Sequence, residues 1–95
     1  MNLTLLHQDC KKYARIVFEN FKNSVVNYPL ENIITEEVIE EIIEFEIKQQ
    51  FGRKVLKNHV TGNESDVQLK KMQEIVSDYK ETIIKTCWNW WRKNC

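Results

Sequence analysis

Between residues 3 and 26 the apolar positions Leu3, Leu6, Cys10, Tyr13, Ala14, Val17, Phe21 and Val25 recur at steps of three and four, the spacing that lines one face of an α-helix. Asp9, Lys11, Lys12, Arg15, Glu19 and Lys22 take the other side. This predicts a helix of about 24 residues, roughly 36 Å long. It stops at Asn27-Tyr28-Pro29, because proline lacks an amide hydrogen and holds the residue before it extended.

A second apolar set, Val38, Ile39, Ile42, Ile43, Phe45 and Ile47, covers an arc of about 200° on a helical wheel, twice the width of a one-sided surface helix. The spacing predicts a helix over 33–58 that is covered on two sides, either as the central member of a bundle or by a partner that wraps it. Ile42 falls at the centre of this stripe. Thr35 is placed to cap the helix, with Glu36 and Glu37 at the positive end of its dipole. Glu46 interrupts the arc, and its place is expected at a seam between packed surfaces, with the carboxylate in solvent or near a lysine. An acidic block, Glu31, Glu36, Glu37, Glu40, Glu41, Glu44 and Glu46, precedes a basic one, Lys48, Arg53, Lys54, Lys57 and His59. That order suits a helix dipole and needs no partner. Phe51-Gly52 should loosen the helix.

After a loop over 59–64, the candidate for local flexibility, Ser65-Asp66-Val67-Gln68 forms a capping box. It opens a third predicted helix, 65–93. Leu69, Met72, Val76, Tyr79 and Ile83 alternate steps of three and four, and the seam continues through Cys87 to Trp90. From Ile84 a second stripe appears beside it, made of Ile84, Trp88 and Trp91. All three tryptophans of the chain lie within residues 88–91, so apolar coverage widens toward the end of this helix. A lid on a small core explains that pattern as readily as a docking site does.

Composition narrows the picture. Two glycines and one proline among 95 residues leave little material for tight turns, and the fold expected is all-α, a single domain over 1–95. The arrangement is an antiparallel three-helix bundle with helices of similar length; the alternative is an extended long helix wrapped by partners. Fourteen basic residues balance fourteen acidic ones, so no net field draws the chain to nucleic acid. No signal sequence or apolar span is recognisable, and the odd cysteine set Cys10, Cys87 and Cys95 lacks metal-ligand spacing. An intracellular chain, nuclear or cytoplasmic, with reduced thiols is expected. His7 and His59 stand fifty residues or so apart without a second histidine nearby. No catalytic, metal or cofactor motif emerges, so an enzyme is the least supported class.

The run Ile83-Ile84, three residues, Trp88, two residues, Trp91-Arg92 resembles the reversed centrin-binding pattern of the centrin-repeat protein of the yeast spindle-pole half-bridge. The run Ile33-Ile34-Thr35-Glu36-Glu37-Val38-Ile39-Glu40-Glu41-Ile42-Ile43 is similar in texture to the central helix of the centrin-interacting domain in mRNA-export scaffolds of the germinal-centre-associated nuclear protein family. The resemblance implies a scaffold helix gripped by small helical subunits and, at its end, by a centrin-like EF-hand protein, with Ile84, Trp88 and Trp91 as anchors and Arg92 as the basic residue after them. The chain departs from that nearly continuous helix at Pro29, at Gly52 and in the 61–65 loop.

The function expected is therefore a non-enzymatic interaction module, a scaffold or adaptor whose Trp-rich helix docks into a partner groove. Two other classes fit the same residues. One is a small intracellular inhibitor from a virus or mobile element that binds a host protein. The other is a helical protein at a membrane surface, using Trp88, Trp90, Trp91, Arg92 and Lys93, although a membrane partner is the weaker expectation. Helices of this size also suit homodimers.

Overall fold

The computed structural model describes residues 3–29 and 33–94; Glu31 of the acidic block and Cys95 lie outside the described residues. Four helices follow in order, α1 Leu3–Val26, α2 Glu36–Gln50, α3 Arg53–His59 and α4 Asp66–Asn94, and no described residue is in a strand. The three long helices form the all-α three-helix bundle that the periodicity predicts. Their lengths of 24, 15 and 29 residues are unequal, because the second predicted helix is broken.

The break has a local cause. Thr35 is extended, with φ −104° and ψ 170°, and its hydroxyl accepts a hydrogen bond from the Val38 amide, so α2 starts at Glu36 and Ile33 and Ile34 stay outside it. At the other end the Phe51 amide donates to the Ile47 carbonyl at 2.9 Å, and Gly52 then takes φ +63°, a conformation that side chains disfavour and glycine permits. The chain turns there and α3 opens, with the Leu56 amide donating to the Gly52 carbonyl at 3.1 Å. The predicted single helix over 33–58 is thus two helices at an angle. α3 is fastened to the first helix by Asp9, whose Oδ2 accepts from Asn58 Nδ2 at 3.3 Å and lies 3.0 Å from His59 Nε2.

α4 begins as its sequence dictates. The Gln68 amide donates to Ser65 Oγ at 3.2 Å and the Ser65 amide donates to Gln68 Oε1 at 2.9 Å, the reciprocal capping box.

Ring contacts fix the directions. His7 lies against Tyr79, and Phe18 and Phe21 lie against Trp90, so α1 and α4 run parallel; Ile43 lies beside Ile84 and Trp88 and Phe51 beside Lys80, so α2 runs antiparallel to both. α1 packs extensively on both α4 and α2, whereas among the three long helices α2 and α4 touch each other least. The molecule measures 51 × 20 × 18 Å; a single uninterrupted helix of this length would approach ~140 Å.

The core joins Leu6, Cys10, Val17 and Phe21 of α1 to Ile39, Ile43 and Ile47 of α2, to Phe51 and Val55, and to Met72, Val76, Ile83 and Cys87 of α4. Val76 sits where its stripe predicts. Ile42 does not: it is half-buried, and the centre of the buried α2 face is Ile39–Ile43. The broad apolar arc of α2 is covered on one side only, which leaves Phe45 60% exposed. Glu46 is 8% exposed and makes no hydrogen bond or ion pair among the described residues. Its oxygens are not among the enclosed, unpartnered polar atoms of those residues, so the carboxylate keeps contact with water at the edge of the packed face.

Candidate interaction surface

Neighbouring residues of α4 divide between two helices. Ile83 and Cys87 are buried, and Trp90 lays its ring edge-on against Phe21 at 6.0 Å and Phe18 at 6.5 Å between centroids. This stripe closes the α1–α4 interface. One residue further round the helix, Ile84 and Trp88 face α2 across an open cleft of about 300 Å³ that Ile43, Glu40 and Glu44 line from the other side. Trp91 meets Trp88 edge-to-face at 5.8 Å, and the Arg92 guanidinium lies 5.5 Å from the centre of the Trp88 ring, a cation–π geometry.

The structure therefore brings Ile84, Trp88, Trp91 and Arg92 together on one edge. It does not leave them as a free stripe. Ile84, Trp88 and Trp91 are half-buried and packed against the core, and Arg92 is exposed. Apolar coverage widens toward the end of α4 because that segment touches both α1 and α2. The fit is imperfect at Trp91 Nε1, which is enclosed and has no hydrogen-bond partner among the described residues, a donor whose isolation costs about 1 to 3 kcal/mol. Toward the other end of the same α2–α4 seam a second cleft, about 480 Å³, is lined by Ile47, Lys48, Phe51, Gly52, Arg53 and Lys80.

Reactive chemistry is scarce elsewhere. Burial pushes the Cys10 thiol up to about 11, with the Asp9 charge adding to it, and pushes the Cys87 thiol up to about 12. Both stay protonated near neutral pH and behave as small apolar groups. No group of three or more histidine, cysteine, aspartate or glutamate side chains able to hold a metal ion occurs among the described residues. No helix among them is long and apolar enough to cross a membrane.

Three polar features escaped the sequence reading. The Asp9–His59 pair and the hydrogen bond between His7 Nδ1 and the Tyr79 hydroxyl, at 3.0 Å each, join residues 50 and 72 positions apart, and no local pattern announces such pairs. The third had a signal. Thr61-x-x-Glu64 repeats the spacing of a capping box, and the Glu64 carboxylate accepts from the Thr61 amide and hydroxyl at 2.8 Å each and from the Gly62 amide at 2.9 Å. Those bonds, the Thr61 amide first, pull its pKa from 4.5 down to about 2. The loop expected to be flexible is clasped by its own acid. A polar pocket of about 380 Å³ lies beside it, between Leu5, His59 and Gln68, but the Thr61 hydroxyl that faces it already donates to Glu64.

Compared with known proteins, the chain matches no family model, no curated protein and no solved structure.

Proposed function

We propose that this chain is a non-enzymatic interaction module, a scaffold or adaptor that docks a protein partner along the α2–α4 edge through Ile84, Trp88, Trp91 and Arg92. The observation that carries the reading is the incomplete closure of that edge. α2 and α4 approach each other less than either approaches α1, and half-exposed Ile84 and Trp88 line the cleft that remains. Large aromatic side chains beside an arginine, seated around an apolar floor, are the composition of interface anchors.

The spacing of these residues resembles centrin-binding repeats, which makes a centrin-like EF-hand protein, with a role in mRNA export, the partner to test. Ile83, Cys87 and Trp90 hold α4 on α1, so such a partner takes the α2-facing edge of α4 and α4 stays in the bundle. Calorimetric titration with calcium-loaded centrin, using wild type, Trp91→Ala and Trp90→Ala, is the decisive measurement. Trp91→Ala is expected to weaken binding by about 2 kcal/mol or more, the scale of an interface hot spot. Trp90→Ala is expected to lower the melting temperature more than it lowers affinity. No heat of binding by the wild type removes centrin as the partner.

A further inference from the structure

The α2–α4 seam changes character along its length. At the Trp88 end the cleft is edged by Glu40 and Glu44, whereas the second cleft, about 480 Å³, has no acidic residue in its lining. Lys48, Arg53 and Lys80 stand around it instead. That is a one-sided set in a chain whose fourteen acidic residues match its fourteen basic ones.

The three cations come from three helices. Lys48 lies in the last turn of α2, Arg53 opens α3 beyond the Gly52 corner, and Lys80 lies in the middle of α4. Buried neighbours hold their backbones in place, Ile47 and Phe51 beside the first two and Val76 and Ile83 within a turn of the third. None of the three cations makes an ion pair or side-chain hydrogen bond among the described residues. Three or four residues away in sequence, where helical neighbours meet, the only acid is Glu44, one turn before Lys48, and it lines the other cleft.

Like charges gathered at one cleft repel one another, and a cleft lined by a single sign of charge over low-dielectric walls focuses its field on ligands of the opposite sign. A phosphomonoester brings a charge of about −1.5 to −2 and three acceptor oxygens, one for each cation, in charge-assisted hydrogen bonds. A carboxylate brings one charge and two oxygens. An apolar substituent on the phosphate has Ile47 and Phe51 to lie against, and the space falls within the ~300 to 1,000 Å³ of small-molecule sites.

We infer that this cleft binds a small phosphomonoester with an apolar substituent, its phosphate held by Lys48, Arg53 and Lys80. The site lies at the opposite end of the seam from Trp88 and does not depend on the docking edge. Because the three cations are exposed, the affinity falls as salt is added.

NMR titration of the full chain with phenyl phosphate in low-salt buffer tests this. The Gly52 and Lys80 amide signals are expected to shift saturably, with inorganic phosphate and benzoate each bound at least about fivefold more weakly. Lys48→Gln, Arg53→Gln and Lys80→Gln are each expected to weaken phenyl phosphate binding about fivefold or more, with unchanged helix content, and Lys80→Arg to stay within about threefold of wild type. Lys11→Gln, on α1 and outside the cleft, should change nothing. The inference is overturned by the absence of saturable shifts, by benzoate bound as tightly, or by an affinity indifferent to the three glutamine variants. Inorganic phosphate bound as tightly as phenyl phosphate also overturns it, since the cleft then takes an adventitious ion only. So does co-sedimentation with phosphatidic acid vesicles that Lys80→Gln abolishes, which would make the cleft a membrane contact. Lys80→Gln leaves Trp88 and Trp91 intact, so centrin titration of that variant reports on the docking edge separately.

Discussion

Ile83 and Ile84 are adjacent, chemically identical and set in the same turn of the same helix, yet Ile83 is 3% exposed and Ile84 borders an open cleft. The same division separates Trp90, wedged on two phenylalanines of α1, from Trp88, which has α2's glutamates on its far side. What separates these pairs is about 100° of rotation, and with it the identity of the neighbouring helix. The α1-facing stripe of α4 is part of a closed interface, while the α2-facing stripe is held by contacts that leave room beside them. Tryptophan content alone does not identify a docking site; the unfilled seam beside the tryptophans does.

The sharpest way to break this contrast is to remove the floor beneath Trp90. Phe21→Ala deletes a fully buried ring from the α1–α4 interface and should cost about 3 to 5 kcal/mol in denaturant melts. A cost under about 1 kcal/mol would mean that Trp90 has no firm seat. Next in size, Ile83→Ala should cost about 2 to 4 kcal/mol and Ile84→Ala about 1 kcal/mol, as expected of a partly exposed position. Equal costs would erase the difference between the stripes. Smaller again is Trp91→Phe. Its loss of apolar area is opposed by removal of an enclosed N–H that lacks a partner, and the net change should stay within about 1 kcal/mol.

The smallest effect serves as a control remote from both stripes. The pKa of Glu64 is lowered in the folded chain, so its contribution to stability is full above about 4.5 and is lost as pH falls toward about 2. Amide shifts of Thr61 and Gly62, followed by NMR through acid, should titrate with a midpoint near 2, with the Trp88 and Trp90 indole signals unmoved. A midpoint near 4.5 would show that the clasp is open in solution.

Much of the architecture was legible in the residues because helices announce themselves locally. The three-and-four spacing of α1, the Ser65–Gln68 box and the Met72-to-Trp90 part of the seam lie where the periodicity places them. Ile42 was not legible as a flank residue. An apolar arc of about 200° has no unique centre on a wheel, and only the positions of α1 and α4 decide that Ile39 and Ile43 face inward. Gly52 was readable as a weak point, but its positive φ, and hence the swing that brings His59 to Asp9, depends on where α3 finds a partner. The candidate edge was half legible. The sequence separates the Ile83 stripe from the Ile84 stripe, while the sharing of Ile84 and Trp88 with α2 requires knowing on which side α2 lies.

The parallel pairing of α1 with α4 bears on how the chain acquires its shape. Helices adjacent in sequence meet after closing a short connection, but Phe21 and Trp90 meet only after nearly seventy intervening residues are brought back on themselves. The entropy of closing such a loop must be met before its contacts form, and a large share of distant contacts slows folding relative to bundles whose principal interfaces join successive helices. A nascent chain of this sequence therefore holds Phe18 and Phe21 uncovered until the last turns of α4 have been made. During that interval α1 and α2 have only each other and α3, and the tryptophans that close the bundle arrive after the other large side chains of the four helices.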